Sequence, residues 1–178
     1  MFNYLKKKNI NIGVLGGTFD PPHRGHLTIS KIAKKKFRLR YIIWSITQKN
    51  PFKKKSRIKI KERIKASKKV IKKDKYIKVE FFEYKVNSEK TIDTIKFLKK
   101  INPKLGIFFI MGADNLIQFH KWNKWKEIVK LAKILVFDRQ GYKLKSLSSI
   151  AAKKIPKDRW KFIKFKKINI SSSQIRKI

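Results

Sequence analysis

Residues 15–27 carry the side chains whose types and spacing are best suited to chemistry. This segment reads LGGTFDPPHRGHL and joins a short apolar run to an amphipathic stretch. Gly16 and Gly17 allow a sharp backbone turn and let a phosphate approach amide N–H groups closely. His23 and His26 flank the predicted start of a helix, where imidazoles can donate hydrogen bonds to phosphate oxygens in a transition state. The segment matches neither G-x-x-x-x-G-K-[ST] nor G-x-G-x-x-G. The segment therefore predicts a phosphate-binding site that differs from these two nucleotide-binding motifs. The alternative is a glycine turn beside two histidines that have no role in binding.

A second group of hydroxyl and cationic side chains stands near the end of the sequence. Residues 170–176 read ISSSQIR, and a helix is predicted to begin around Ser172. Hydroxyls and amides at a helix N-terminus, with Arg176 one turn later, would form a second phosphate cradle. The same serines also suit simple capping of the helix, which is the alternative interpretation.

Short apolar runs alternate with amphipathic stretches, which predicts strands alternating with helices. The predicted strands are 12–15, 41–46, 77–82, 105–111, 134–137 and a last one around 162–165. The predicted helices are 27–37, 60–71, one capped by Ser88 and carrying Ile92, Ile95 and Leu98, one over 122–132, and the terminal one. This order predicts an α/β fold, a doubly wound Rossmann-like parallel sheet with helices on both faces, in a single domain of residues 1–178. Residues 140–157 are predicted to be the least ordered.

The composition limits the classes of function. With 178 residues, of which 42% are hydrophobic, the chain can form a real core. It has no cysteine, which excludes disulfides and thiolate metal sites and suits a reducing compartment. No stretch of the sequence approaches the roughly 20 apolar residues of a membrane span. We therefore expect a cytoplasmic protein without membrane contacts.

The formal net charge of +38 has two interpretations. One is nucleic-acid binding, because clustered lysines neutralise phosphates and release counterions. However, lysine is spread over nearly every predicted helix and loop, and isoleucine is equally over-used at the apolar positions. We interpret the charge as a compositional bias and expect no specific nucleic-acid partner. A basic nucleic-acid-binding protein remains the alternative from another functional class.

The first segment resembles the G-G-T-F-D-P-x-H-x-G-H signature of bacterial nicotinate-nucleotide adenylyltransferases, and ISSSQIR is similar to the I-S-S-T-x-I-R motif of their superfamily. The resemblance runs from Ile12 to Arg176. It implies transfer of AMP from ATP to nicotinate mononucleotide with release of pyrophosphate, and it implies catalytic roles for His23, His26 and Arg176. The residues implied to bind ATP are Gly16, Gly17, Thr18, Phe19, His23, His26, Gly112, Asp114, Ser171, Ser172, Ser173 and Arg176.

Further matches concern the second substrate. The residues implied to bind the mononucleotide are Asn50, Lys53, Thr91, Trp122 and Arg139. Trp122 stands where the family places an aromatic that stacks on the pyridine ring, with a core position as the alternative, and Arg139 faces the mononucleotide phosphate or solvent. The sequence departs from the family in the loop 47–53, which lacks the first proline, and at Lys90, where a tyrosine is common. Nicotinamide mononucleotide and phosphopantetheine therefore remain alternative substrates.

The protein would catalyse the implied reaction mainly by positioning the two substrates and by neutralising the negative charge of their phosphates. The attacking phosphate is already an anion, so it needs no general base. No cluster of Asp, Glu and His in the sequence suggests a metal site built by the protein, and Mg²⁺ is expected to arrive with ATP. The oligomeric state is not fixed by these arguments, and a homo-oligomer is left open.

Overall fold

The structure is a computed structural model that describes residues 2–7, 9–49, 56 and 58–164. These residues belong to two compact units. Among the described residues, the N-terminal unit is Ile12–Glu89, and the C-terminal unit combines the residues up to Asn11 with residues 90–164. Each unit is built of parallel strands and of the helices that connect them, as the alternation of apolar and amphipathic stretches predicts.

In the N-terminal unit, three strands alternate with three helices. Its elements are β1 (Asn11–Gly17), α1 (Arg24–Lys36), β2 (Tyr41–Ile46), α2 (Ile60–Val70), β3 (Ile77–Glu80) and α3 (Phe82–Val86). The strand order is β3-β2-β1, and both pairs are parallel. Leu15 is level with Trp44, and Ile42 is level with Ile77. β1 and β2 are mainly buried apolar runs, the pattern of parallel strands covered on both faces, whereas β3 carries Lys78 and Glu80.

The C-terminal unit repeats this plan with more helices. Its elements are α4 (Thr91–Ile101), β4 (Gly106–Gly112), α5 (Ala113–Phe119), α6 (Trp125–Leu131), β5 (Lys133–Phe137), α7 (Lys143–Leu147), α8 (Ile150–Lys154) and β6 (Trp160–Ile163). The strand order is β4-β5-β6, and both pairs are parallel. After α4, the Asn102 side-chain amide donates to the carbonyls of Leu5 (2.8 Å) and Lys7 (3.0 Å), which fastens the start of the chain. The predicted α/β class is therefore confirmed.

The prediction that residues 140–157 are the least ordered part of the chain is wrong, because this segment contains the helices α7 and α8. The usual burial pattern is reversed there. Ser146 and Ala151 are buried, whereas Leu144 is 80% exposed and Leu147 is also exposed. A search for apolar residues at helical spacing misses helices whose buried residues are small or polar.

Smaller differences concern the ends of elements. The helix predicted to be capped by Ser88 begins at Thr91, and its N-cap residue is Lys90, whose side chain makes no capping hydrogen bond. Trp122 precedes α6, which begins at Trp125. The terminal helix predicted around Ser172 lies outside the described residues. No helix in the described part of the chain is long and apolar enough to cross a membrane.

Candidate functional site

The turn after β1 brings the glycine and histidine residues of the first motif to the start of α1. β1 ends at Gly17, and α1 begins at Arg24 with His23 as its N-cap residue. Phe19 has a left-handed backbone (φ 48°), and its side chain is buried. The Asp20–Pro21 peptide bond is cis. A non-glycine residue holds a left-handed conformation when its surroundings fix it, as the buried Phe19 ring does here.

His23 and His26 cap α1 with the same nitrogen atom of their rings. The His23 Nδ1 accepts a hydrogen bond from the Gly25 N–H (3.1 Å), and the His26 Nδ1 accepts one from the His23 N–H (3.2 Å). A nitrogen that accepts from an amide carries no hydrogen, so the hydrogen of each neutral imidazole is on Nε2. The capping interactions thereby fix the tautomer in which Nε2–H is the donor. Both histidines are thus prepared to donate to an anion through Nε2.

A stack of aromatic rings supports these histidines. The ring centroids are 3.9 Å apart for His23 and His26, 4.6 Å for His26 and Phe19, and 4.9 Å for Phe19 and Trp44. Trp44 is fully buried, and its indole N–H donates to the Ser30 hydroxyl (2.9 Å). That hydroxyl donates in turn to the His26 carbonyl (2.7 Å). The stack connects the core of the N-terminal unit with the imidazoles at the start of α1.

In the C-terminal unit, the end of β4 places Asp114 in the first turn of α5. Gly112 is the N-cap residue, and a Cβ added to it would stand 2.6 Å from the Asp114 Oδ1. Glycine is therefore required there for the carboxylate to take this position. The Asp114 Oδ2 accepts a hydrogen bond from the Arg139 Nη1 (2.7 Å). Arg139 thus contacts Asp114, a partner that the sequence did not predict.

Trp122 lies in the turn between α5 and α6 and packs edge-on against two phenylalanines. Its ring centroid is 5.3 Å from that of Phe119 and 6.0 Å from that of Phe109. The buried Trp122 Nε1 and His120 Nδ1 have no hydrogen-bond partner within the described ranges. Thr91 is half-buried at the start of α4.

The predicted site includes residues both inside and outside the described ranges. Those that lie outside the described residues are Asn50, Lys53, Ser171, Ser172, Ser173 and Arg176. The structure brings Thr18, Phe19, His23 and His26 together in the turn that follows Gly16 and Gly17, and it joins Asp114 to Arg139. Among the described residues, no group of three or more metal-ligating side chains could hold a metal ion.

Two buried charged residues beside the first motif were missed by the sequence analysis. Arg63 on α2 and Glu83 on α3 are both buried, and both bond to the backbone at the end of β2. A signal was present for Arg63. It is an arginine in a helix otherwise rich in lysine, and it lies four residues before the buried Ser67 on the same helix face.

Glu83 provides a test of stability against pH. Burial raises the pKa of its carboxyl group, although the hydrogen bond from the Gln48 N–H opposes this shift. A carboxyl with a raised pKa binds its proton more tightly in the folded state, so its contribution to stability is lost as the pH rises through that pKa. We therefore expect the stability of Glu83→Gln to rise relative to that of the wild type as the pH increases from 4.5 through the raised pKa of Glu83. Urea unfolding of both proteins over this range measures the difference, and parallel stability curves would contradict the assignment.

The chain is similar to known proteins over nearly its whole length. A model of the cytidylyltransferase-like family matches residues 14–178. A protein of Pelagibacter ubique named probable nicotinate-nucleotide adenylyltransferase is 60% identical over 176 residues, which cover 99% of this chain and 97% of the relative. A protein of Mesorhizobium japonicum with the same name is 35% identical, with coverage of 97% and 96%.

Solved structures show the same fold. The nicotinic acid mononucleotide adenylyltransferase of Plasmodium falciparum, complexed with NaAD, has a TM-score of 0.75 at 21% identity. The match covers 94% of this chain and 83% of that one. The same enzyme complexed with APC has a TM-score of 0.76. The predicted doubly wound, Rossmann-like arrangement of a parallel sheet and helices is therefore confirmed.

Proposed function

Because the chain belongs to the cytidylyltransferase-like family and, within it, to the nicotinate-nucleotide adenylyltransferases, we propose that it transfers AMP from ATP to nicotinate mononucleotide. The products are nicotinate adenine dinucleotide and pyrophosphate, which makes the reaction a step of NAD biosynthesis. One observation of the structure carries the proposal. The two imidazoles at the start of α1 have Nδ1 occupied by capping hydrogen bonds and Nε2–H as their donor.

The reaction is an in-line displacement at the α-phosphorus of ATP. An oxygen of the mononucleotide phosphate forms the new P–O bond, and the bond from the α-phosphorus to the bridging oxygen of pyrophosphate breaks. The nucleophile is an anion, so no side chain has to remove a proton. His23 and His26 donate from Nε2–H to phosphate oxygens whose negative charge grows in the transition state. Arg176 supplies a further positive charge in this proposal.

The remaining site residues keep the roles that the motifs imply. On the ATP side, Gly16 and Gly17 at the end of β1, with Thr18 and Phe19 in the turn that follows, lie beside the triphosphate. Gly112 allows Asp114 to accept hydrogen bonds from the ribose. The hydroxyls of Ser171, Ser172 and Ser173 bind phosphate. The mononucleotide contacts are Asn50, Lys53, Thr91, Trp122 and Arg139. The ion pair with Arg139 supports the role of Asp114, because it orients the carboxylate.

Mg²⁺ reaches the site bound to ATP in this proposal. In that case the phosphate oxygens would supply most of its ligands. Bound there, Mg²⁺ neutralises charge on the phosphates.

We also propose that residues 1–178 act as one domain in the cytoplasm. The absence of cysteine supports a reducing compartment. A homo-oligomer is compatible with this proposal.

The choice of mononucleotide gives the test. A carboxylate on the pyridine ring is favoured over a neutral amide by helix-terminal N–H groups and by a basic surround. We expect kcat/KM for nicotinate mononucleotide to exceed that for the nicotinamide form by at least about tenfold, which corresponds to ~1.4 kcal/mol. The measurement is pyrophosphate release at saturating ATP, with phosphopantetheine as the third acceptor.

Each result of this assay has a distinct meaning. Equal efficiencies with the two pyridine nucleotides, or a preference for the amide, would contradict the nicotinate assignment and leave adenylyl transfer standing. Turnover of phosphopantetheine alone would show that the chain transfers AMP to that acceptor and to neither pyridine nucleotide. No turnover of any acceptor would contradict the proposed function altogether.

A further inference from the structure

Arg63 is a buried arginine on α2. Within the described part of the chain, every hydrogen bond of its guanidinium group goes to a backbone carbonyl. Arg63 is 3% exposed. Its Nη1 donates to the carbonyls of Thr18 and Thr47, both at 2.6 Å. Its Nη2 donates to the Gln48 carbonyl (3.2 Å), and its Nε donates to the Ile58 carbonyl (3.1 Å). The planar fork of an arginine can reach this many acceptors at once, whereas the single nitrogen of a lysine cannot.

The backbone of Thr47 and Gln48 is fixed on both its donor and its acceptor groups. The Thr47 N–H donates to the Gly17 carbonyl (2.9 Å), and the Gln48 N–H donates to the Glu83 Oε2 (2.8 Å). Their two carbonyls accept from Arg63. All four backbone polar groups of these two residues therefore have partners on other segments of the N-terminal unit. A loop held in this way loses little further freedom when a substrate binds.

Burial of the guanidinium is costly unless opposite charges and hydrogen bonds offset it. Burial lowers the pKa of Arg63, and the negative charges of Asp20 and Glu83 oppose that shift. Asp20 belongs to the same turn as Thr18, and Glu83 binds Gln48. Arg63 is thus placed by charge, as well as by hydrogen bonds, between the turn after β1 and the loop after β2.

We propose that Arg63 is a positioning residue for the adenylyl transfer, which fixes the turn at Thr18 and the loop at Thr47–Gln48 relative to each other. This inference rests on the proposed function. Thr18 belongs to the turn that precedes His23 and His26, so a shift of its backbone moves the donors at the start of α1. The expected effect of losing Arg63 is therefore on kcat as well as on substrate binding. Misplacement of a positioning group by ~1 Å costs up to about 10²-fold in rate.

The experiment compares Arg63→Met and Arg63→Lys with a matched pair at Arg159. Arg159 also donates to backbone carbonyls, those of Val129 (3.0 and 2.6 Å) and Lys130 (2.7 Å), but it contacts neither motif. With ATP and nicotinate mononucleotide both saturating, we expect Arg63→Met to lower kcat by at least about tenfold and Arg63→Lys to fall between it and the wild type. Arg159→Met and Arg159→Lys are expected to keep kcat within about twofold while lowering Tm.

A second measurement follows the loop itself and does not depend on catalysis. Hydrogen exchange at the Gln48 amide, read by NMR, should be faster in both Arg63 variants and unchanged in both Arg159 variants. If Arg63→Met fails to fold, the comparison with the wild type is made with Arg63→Lys, which keeps the charge.

The outcomes separate this inference from the proposed function. An active wild type with Arg63 variants of equal kcat and equal Gln48 exchange would overturn the positioning role. An equal loss of kcat in the Arg159 variants would also overturn it, because reduced stability would then explain the loss. A wild-type chain that releases no pyrophosphate would instead overturn the proposed function.

Discussion

Replacing His26 with alanine is expected to lower kcat by about 10²-fold or more, the scale of a lost transition-state donor. The structure gives the physical reason. The His26 Nδ1 accepts from the His23 N–H, so the hydrogen that remains for a phosphate is on Nε2. The same hydrogen bond caps α1, and its loss should cost ~1 kcal/mol of stability. The measurement is pyrophosphate release at saturating substrates, together with urea unfolding.

Two further variants at this position separate catalysis from capping. Asparagine places an acceptor near Nδ1 and has no group near Nε2, so His26→Asn should recover stability and remain slow. Glutamine reaches the Nε2 position with an amide donor, so His26→Gln should be faster than His26→Asn. A His26→Asn variant with a wild-type kcat would show that the Nε2–H takes no part in the reaction.

The strands and the histidine motif could be predicted because their signals are local. The runs at 12–15, 41–46 and 134–137 are apolar except at Gly13 and Ser45, and the structure has strands there. His23 and His26 are three residues apart, the spacing that lets the His26 ring reach back to the His23 N–H. Such features involve residues that are close in the chain, so they can be recognised in the sequence alone.

The features that the sequence analysis missed arise from contacts between segments that are distant in the chain. Arg63 is one cation among 49 lysines and arginines, and its position in the sequence does not reveal that it bonds to Thr18 and Thr47. Ser149 caps α8, yet α7 and α8 bury serine and alanine instead of large apolar residues, so helical periodicity did not reveal them. Tertiary packing decides such cases, and pattern or propensity does not.

The position of Arg139 shows the same limit within the candidate site. The sequence offered a choice between the mononucleotide phosphate and solvent. In the structure, the guanidinium binds the Asp114 carboxylate at 2.7 Å and lies over the Tyr142 ring, with its carbon atom 5.7 Å from the ring centroid. Asp114 and Arg139 are 25 residues apart in the chain. Since the ion pair leaves the other donors of the guanidinium available for an anion, its role toward the mononucleotide stays a prediction.

Replacing Trp44 with alanine is expected to have the largest effect on stability, a loss of ~3–5 kcal/mol in the free energy of unfolding. Trp44 is 0% exposed and stacks on Phe19, and its indole N–H satisfies the Ser30 hydroxyl. The substitution would remove the largest fully buried side chain of the described residues and leave a cavity beside the ring that supports His26. Urea unfolding of the wild type and the variant measures the loss.

Trp44→Phe is the matched control, because it keeps an aromatic ring below Phe19 and removes only the indole N–H and part of the volume. We expect a smaller loss of stability than for alanine, and a kcat close to that of the wild type, since the stack from Phe19 to His26 is retained. Trp44→Ala, assayed well below its Tm, should lower kcat as well, because the left-handed Phe19 loses the ring that fixes it. An alanine variant that loses less than about 1 kcal/mol would contradict the buried position of Trp44. One that loses stability but keeps its full kcat would show that the imidazoles are held without the stack, by the caps of α1 alone.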